Sequence, residues 1–350
     1  GSKASVAGWV EDVRPLGSLA FITIRDPTGI AQLVLKRSLL GEERLRSLLR
    51  VPRQSAVVAT GIVKESRAKE VAVELEVESI EVLSEAEHPL PLDPTGRVPA
   101  QLDARLDARA LDVRSPQASA IFRIRHTALQ SIRSFLVEEG FIEVNTPKII
   151  GSAAEGGANL FTVDYFGRSA YLAQSPQLYK EQLMLYFEGV FEIAQYFRAE
   201  KSHTPRHLTE FTSVDVEVAY SNYFEVMDLL EDLTRFLLSN VAEKCSRELE
   251  TLGYSLPDSS REFKRLTYDE AFKLLSSKGV ELEWGEDFGA DELRVLGGEF
   301  KTFYFIYDWP REAKPFYIKV KDDLTESFDL MYSDIELASG GTRENRRKYL

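Results

Sequence analysis

Hydrophobic and polar positions along the chain fall into stretches of different period. Over residues 4–36 they alternate in places: Val6, Gly8 and Val10 lead into Leu19, Phe21, Ile22 and Ile24, then Ile30, Leu33 and Leu35. Alternation marks half-buried strands, because successive side chains point to opposite faces. The turn-forming clusters Pro15-Leu16-Gly17-Ser18 and Asp26-Pro27-Thr28-Gly29 break the run into three strands. The pattern then predicts a short amphipathic helix over 39–49 and two more strands near 56–64 and 71–83.

Five short strands with one helix between the third and fourth is the order of a small Greek-key barrel of the OB type. A sandwich usually needs about seven strands and fits less well. Residues 88–116 read differently. His88-Pro89-Leu90-Pro91-Leu92-Asp93-Pro94-Thr95-Gly96 is dense in proline, which fixes backbone angles and removes donors, and an Arg/Asp-rich stretch follows. The expected organisation is therefore a barrel over 1–88, a hinge or linker over 89–116 and a second domain over 117–350.

From Ile121 the period changes. Ile121, Ile124, Ala128, Ile132, Phe135 and Leu136 recur at helical spacing and stop at Gly140. Phe141 to Pro147 reads as a strand closed by proline. Further strands are predicted at 170–174, 190–198, 211–220, 303–308, 316–320 and 327–339, with helices at 224–240 and 268–278. Sheet-rich segments with few one-to-one strand–helix units favour an α+β domain with an antiparallel sheet over a doubly wound one.

Charge narrows the possible partners. Against 43 Lys and Arg stand 56 Asp and Glu, a formal net charge of −13. A protein that coats polyanions leans the other way, since phosphate contacts are made largely by Lys and Arg. Any nucleic-acid contact is therefore expected to be local and shaped. No apolar run approaches the roughly 18 residues that span a bilayer, so no membrane partner is expected. The lone Cys245 has no partner for an internal disulfide, and a reducing, cytoplasmic setting fits.

Four stretches carry candidate chemistry. In the run from Phe197 to Glu217, Arg198 and Glu200 share a strand face, a polar loop turns at Pro205, and Phe211, Ser213, Asp215 and Glu217 follow at period two. Arg198 and Arg206 can fork onto phosphate, Phe211 can stack on a base, and Asp215 can hold an ammonium. By charge pattern alone, a hairpin with a solvated charged face is the better reading. In Ala173-Gln174-Ser175-Pro176-Gln177-Leu178-Tyr179-Lys180, Gln177 and Lys180 share one helix face, which suits a carboxylated ligand or simply a surface turn. Gly151 to Ala158 is small and flexible around Glu155, like a closing lid or a plain loop. Finally, in Asp334 to Arg343, Glu336 and Ser339 can offer hard oxygens to Mg²⁺, and Arg343 follows a Gly340-Gly341 bend that lets it reach a buried anion.

Taken together and in order, these stretches resemble the class II aminoacyl-tRNA synthetases, specifically aspartyl-tRNA synthetases of the archaeal/eukaryotic type. Phe197 to Glu217 is similar to motif 2, and the helix before Gly140 with the strand ending at Pro147 to motif 1, the dimer interface of that family. Gly151–Gly157 resembles its flipping loop, Gln174–Lys180 its amino-acid signature, and the N-terminal barrel its anticodon-binding domain.

The resemblance implies a homodimer that uses ATP and Mg²⁺ to activate L-aspartate and transfers it to the 3′ end of tRNA(Asp). It assigns Arg198 to the α-phosphate of ATP as a catalytic group with Glu200. Arg206, His207, Phe211 and Glu336 complete the nucleotide site, and Glu336 and Ser339 hold the metal. Lys180 and Arg343 clamp the side-chain carboxylate of aspartate, while Glu155, Gln177, Ser213 and Asp215 surround its α-groups. Arg14, Phe21 and Gln32 match the family's anticodon readers. Two cations around the carboxylate favour aspartate over asparagine, and asparaginyl-tRNA synthetases generally lack a lysine in this signature.

The same likeness places a third motif, a glycine-rich strand and helix with an ATP-binding arginine, after residue 350, and a short lead-in before Ala4. Either the sequence is a truncated one, or it is expected to be unable to activate an amino acid as it stands; the fragment as written is expected to be poorly stable. Glu11 stands where archaeal relatives can carry an aromatic, which leaves the anticodon preference open. The alternatives are a non-discriminating form that also charges tRNA(Asn), a paralogue that makes asparagine from aspartate, and a catalytically silent RNA-binding relative.

Overall fold

The alternating stretch forms strands β1 (Lys3–Leu16), β2 (Leu19–Asp26) and β3 (Gly29–Lys36) in a computed structural model that describes residues 1–66, 73–151, 160–199 and 208–348. Short helices α1 (Arg37–Leu40) and α2 (Glu42–Leu48) lead to β4 (Ala56–Glu65) and β5 (Val73–Ser84). The five strands close into a barrel in the order β1-β2-β3-β5-β4, with β3 and β5 parallel and β1 pairing β4 to shut the seam. Every second residue turns inward, so Val10, Ile22, Leu33, Leu35, Val57 and Val77 share one core, and α2 adds Leu45 and Leu48 to it. Each such side chain contributes about 1.5–3 kcal/mol by leaving water.

The Arg/Asp-rich part of the proline-rich stretch contains two short helices, α3 (Leu102–Asp107) and α4 (Arg109–Asp112). Asp112 is buried there between Arg105 at 2.7 Å and Arg109 at 2.6 Å, so its opposite charges pair locally. Residues 1–124 and 247–253 form one compact unit, and residues 125–246 and 254–350 another.

Helix α5 (Pro116–Glu138) precedes β6 (Ile142–Glu143), β7 (Ile149–Ile150), β8 (Thr162–Tyr165) and β9 (Arg168–Leu172). Then come α6 (Gln177–Leu183), β10 (Gly189–Phe197), β11 (Glu210–Val218), α7 (Tyr223–Lys244) and α8 (Ser246–Leu252). The C-terminal part holds β12 (Lys264–Thr267), α9 (Tyr268–Ser277), α10 (Ala290–Phe300), β13 (Phe303–Tyr307), β14 (Val320–Lys321), β15 (Leu324–Thr325), β16 (Ser327–Tyr332) and β17 (Ile335–Gly341).

Two sheets frame the second unit, one in the order β11-β10-β6 and one in the order β12-β13-β16-β17, mostly antiparallel with parallel pairs at β6–β10 and β12–β13. Helix α7 serves both. It starts at a capping box in which the Asn222 side chain accepts from the Phe224 and Glu225 amides and Glu225 accepts from the Asn222 amide. Leu233 packs with Phe135, Leu136 and Phe191 against the first sheet, while Tyr223 and Met227 pack with Phe303, Phe305 and Phe328 against the second. The unbroken apolar run of β13 follows from burial on both sides: Tyr304 and Ile306 face a second cluster with Tyr268, Leu275 and Leu296.

Several predicted elements differ. Residues 327–339 are a hairpin, turning at Ser333 with φ of 52°. Its turn carries no Asn-Gly or Asp-Gly pair to announce it. Within 316–320, Ile318 makes only an isolated bridge to Arg343. Helix α10 escaped the pattern because Gly297 and Gly298 interrupt it. Gly297 is needed there, since a Cβ would meet the Asp334 amide at 2.5 Å and the Ser333 carbonyl carbon at 2.6 Å.

Candidate active site

The polar face of the β10–β11 pair is where the predicted residues meet. Register places Val190 opposite Glu217, Glu192 opposite Asp215, Ala194 opposite Ser213 and Tyr196 opposite Phe211. Period two then puts Phe211, Ser213, Asp215 and Glu217 on one face, as the sequence predicts, while Phe191, Ile193, Val214 and Val216 pack on the opposite side. Arg198 continues the ladder by donating its amide to the Thr209 carbonyl at 3.0 Å. A cavity of about 960 Å³, at the upper end of the usual small-ligand range, opens along the β10–β11 pair, and its lining also takes in Val214, Val216 and Leu233 of the apolar side. Gln177, Lys180, Arg198, Phe211, Ser213, Asp215, Glu336, Ser339 and Arg343 all line it.

The two candidate carboxylate-binding cations share a partner. Arg343 donates both Nε and Nη2 to Glu217, at 3.0 and 3.1 Å, and Nη2 also reaches Oε1 of Gln177 at 3.1 Å. The Lys180 ammonium lies 3.2 Å from Asp215 and 3.5 Å from Glu217. Ser213 donates to the other Asp215 oxygen at 2.6 Å. Helix α6 supplies Gln177, Lys180 and Glu181 from one face, and Gln177 bonds Glu181 at 2.7 Å. Burial pulls the Arg343 guanidinium down, but hydrogen bonding and charge from Glu217 outweigh it and hold the group above its ordinary value. A buried fork of this kind is both strong and directional.

Glu217 had no assigned role in the sequence reading, although it belongs to the period-two run. Arg343 gets its reach in an unexpected way. Gly340 and Gly341 form no bend; they are the last residues of β17, opposite Phe328 and Ser327. A Cβ on Gly341 would meet the Glu326 carbonyl oxygen at 2.6 Å, so glycine lets the strands close up just before the arginine.

At the other end of the cavity, the Arg198 guanidinium lies over the Phe211 ring, 5.2 Å from its centre. Glu336 and Ser339 are three apart and on a regular strand would face opposite ways. A bulge at Leu337 puts Met331 opposite Glu336 and Asp329 opposite Ser339, so all four share a face. Asp329 also lines the cavity and is buried, held by Lys314 at 2.9 and 2.7 Å. Burial raises its carboxyl, the Lys314 charge pulls it back, and nearby Glu336 pushes it up again. Asp329 and Glu336 with the Ser339 hydroxyl form a hard-oxygen set suited to Mg²⁺, which uses one or two carboxylates beside phosphate and water. Among the described residues, no group of three or more His, Cys, Asp or Glu forms a metal site. Asp329 was missed, although one carboxylate inside the apolar Phe328 to Met331 run is a signal.

On the same face, opposite Asp215, Glu192 is buried and accepts from the Thr146 amide, the Thr146 hydroxyl and Lys148, each at 2.8 Å, and from the Tyr196 hydroxyl. Burial alone would raise Glu192; these donors bring it below its ordinary value. Tyr196 is raised by burial and by its bond to Glu192. Glu155, Glu200, Arg206 and His207, with the lid over 152–157, lie outside the described residues.

The barrel brings its candidates together on the outer face. Arg14 pairs with Phe21 across β1 and β2, and Thr23 with Gln32 across β2 and β3. Arg14 donates to Gln32 at 3.4 Å, and Gln32 donates to Glu74 at 3.1 Å. Phe21 stays half-buried, its ring opposite the packed side of the strand.

Comparison with known proteins matches two families to successive parts of the chain. The family described as tRNA synthetases class II (D, K and N) matches residues 101–350, and OB-fold nucleic acid binding domains match residues 4–83. An aspartate–tRNA(Asp/Asn) ligase of Methanopyrus kandleri is 49% identical over 349 residues, covering 99% of this chain and 81% of that one. An aspartate–tRNA(Asp) ligase of Pyrococcus horikoshii is 45% identical, covering 100% and 82%. The crystal structure of asparaginyl-tRNA synthetase from Pyrococcus horikoshii complexed with asparaginyl-adenylate matches with a TM-score of 0.93 at 36% identity, covering 100% of this chain and 82% of that one.

Proposed function

This chain belongs to the class II tRNA synthetases (D, K and N), and on that premise we propose that it is an aspartate–tRNA ligase. The reading rests on one observation: Lys180 and Arg343, tied to each other through Glu217, line the same cavity as Arg198 and Phe211. Paired cations suit the distal carboxylate of L-aspartate through charge-assisted hydrogen bonds. An amide in that place would present donors to donors.

The reaction runs in two steps. The α-carboxylate of aspartate attacks the α-phosphorus of ATP in line, giving aspartyl-adenylate and pyrophosphate. The 3′-terminal adenosine hydroxyl of tRNA(Asp) then takes the aspartyl group. Positioning and charge neutralisation do most of the work in such displacements. Arg198 neutralises the α-phosphate and Phe211 stacks on adenine, with Glu200, Arg206 and His207 completing the nucleotide site. Asp215 and Ser213, with Gln177 and Glu155, orient the α-groups. Glu336, Ser339 and Asp329 hold Mg²⁺, which supplies charge neutralisation at the phosphates when bound.

On the barrel, Phe21 stacks an unpaired anticodon base while Arg14 and Gln32 read its edges. The protein works in the cytoplasm as a homodimer. Exposed Val137, Ile142 and Ile149 support the dimer, since β6 is the edge of its sheet. Among the described residues, no helix is long and apolar enough to cross a membrane.

The test is aspartate-dependent ATP–pyrophosphate exchange in Lys180→Leu, compared with its parent in a chain that runs on through the third motif. A drop of about a hundredfold or more is expected, because losing one partner of a buried charged contact costs roughly 2–5 kcal/mol. ATP binding should survive. Unchanged exchange would rule the assignment out, and aminoacylation of tRNA(Asp) beside tRNA(Asn) defines the tRNA range.

A further inference from the structure

Lys314 stands in the cavity with no role in the reaction just described. It follows the turn Arg311–Ala313, and its ammonium straddles both oxygens of Asp329. The two side chains are only 15% and 6% exposed. The ammonium also lies 4.3 Å from the ring centre of buried Trp309, whose Nε1 donates to the Ile306 carbonyl. The lysine is thus held on a fixed platform.

Ion pairs that only support a core sit in the core. This one lines the cavity, on the hairpin face that also carries Glu336 and Ser339. Glu336 has no ion-pair partner among the described residues. Among the described residues, the locality therefore holds one carboxylate with an ammonium partner and one without. A buried carboxylate cannot stay charged without a cation beside it. One that already accepts from an ammonium at both oxygens has about half of its lone pairs left for a metal.

Building on the reading that Asp329, Glu336 and Ser339 hold the divalent cation, we propose that Lys314 is the resident counter-ion of that site. Its ammonium satisfies Asp329 when the metal is away and competes with a divalent cation for the same oxygens. That contact holds the carboxylate in place without metal, and nucleotide-free metal binding is suppressed. Once displaced, the ammonium remains in the cavity, where an ATP phosphate is the anion it can meet. Mg²⁺ sheds water reluctantly, so even one competing cation is an effective barrier until phosphate oxygens join the site.

The experiment is Mn²⁺ binding to the intact protein without nucleotide, read from the spin-resonance signal of free Mn²⁺. Lys314→Met and Lys314→Gln should each bind Mn²⁺ at least tenfold more tightly than the parent, and Lys314→Arg, which keeps the charge, should match it. Lys314→Gln keeps a donor to Asp329, so the comparison stands even if the methionine variant does not fold. Asp329→Asn should abolish binding. If Asp329→Asn binds as before, the cation reading itself fails. If it loses binding while both neutral variants bind no more tightly than the parent, Lys314 is a structural partner only and the proposal is overturned.

Discussion

The outer face of the barrel and the polar face of β10–β11 are built on the same plan, a pleated sheet with one apolar and one polar side, yet they carry charge differently. On the barrel, Arg14 reaches Gln32 at 3.4 Å and Gln32 donates to Glu74 at 3.1 Å, beside the half-buried ring of Phe21, with no buried ion pair among the three. In the catalytic unit, Lys180, Glu192, Glu217 and Asp329 are buried, each with a partner of opposite charge. A base can be read at an open surface by stacking and edge contacts. A small charged substrate needs preorganised ions in a dry pocket, where each unpaired charge is costly.

That contrast breaks first at Glu217. Glu217→Ala should destabilise the protein by about 3 kcal/mol in denaturant unfolding, because it strips Arg343 of its forked carboxylate partner, while Lys180 keeps Asp215. Aspartate activation should fall with it. On the barrel, Glu74→Ala should cost less than about 1 kcal/mol. Equal losses at the two positions would erase the distinction.

Next is Glu192. Its folded-state carboxyl lies below the ordinary value of 4.5, so its contribution is full above that pH and is lost as pH falls through the folded value. Glu192→Gln should therefore be destabilised by roughly 1–3 kcal/mol at neutral pH, and the gap from the parent should narrow below about pH 4.5. A gap that widens on acidification would reverse the assigned sign. Phe21→Ala gives the smallest change in stability, since the barrel core lies on the other side of the sheet. It should still weaken tRNA binding by about 1–3 kcal/mol, the value of one stacked base. Unaltered tRNA binding would remove Phe21 from the interface.

Much of this was legible in the sequence. Period two alone put Phe211, Ser213, Asp215 and Glu217 on one face, and the barrel's turn clusters marked its first three strands. What was hidden depends on contacts between distant segments. The bulge at Leu337 that turns Glu336 and Ser339 to one side has no local signature. Glu217 acquires its role only when Arg343, 126 positions later in the chain, folds back onto it. Asp329 and Lys314 come from a strand and a loop that no spacing rule relates. Gly340 and Gly341 read as a bend because glycine frees the backbone, but here the missing Cβ serves close approach of two strands.

The central claim is that Lys180 and Arg343 together grip the distal carboxylate of the substrate. A crystal structure with L-aspartate bound tests it most directly. The side-chain carboxylate should lie within hydrogen-bond distance of the Lys180 ammonium and the Arg343 guanidinium, with Glu217 still bridging both. A carboxylate lodged elsewhere, with those two cations turned away from it, would contradict the account.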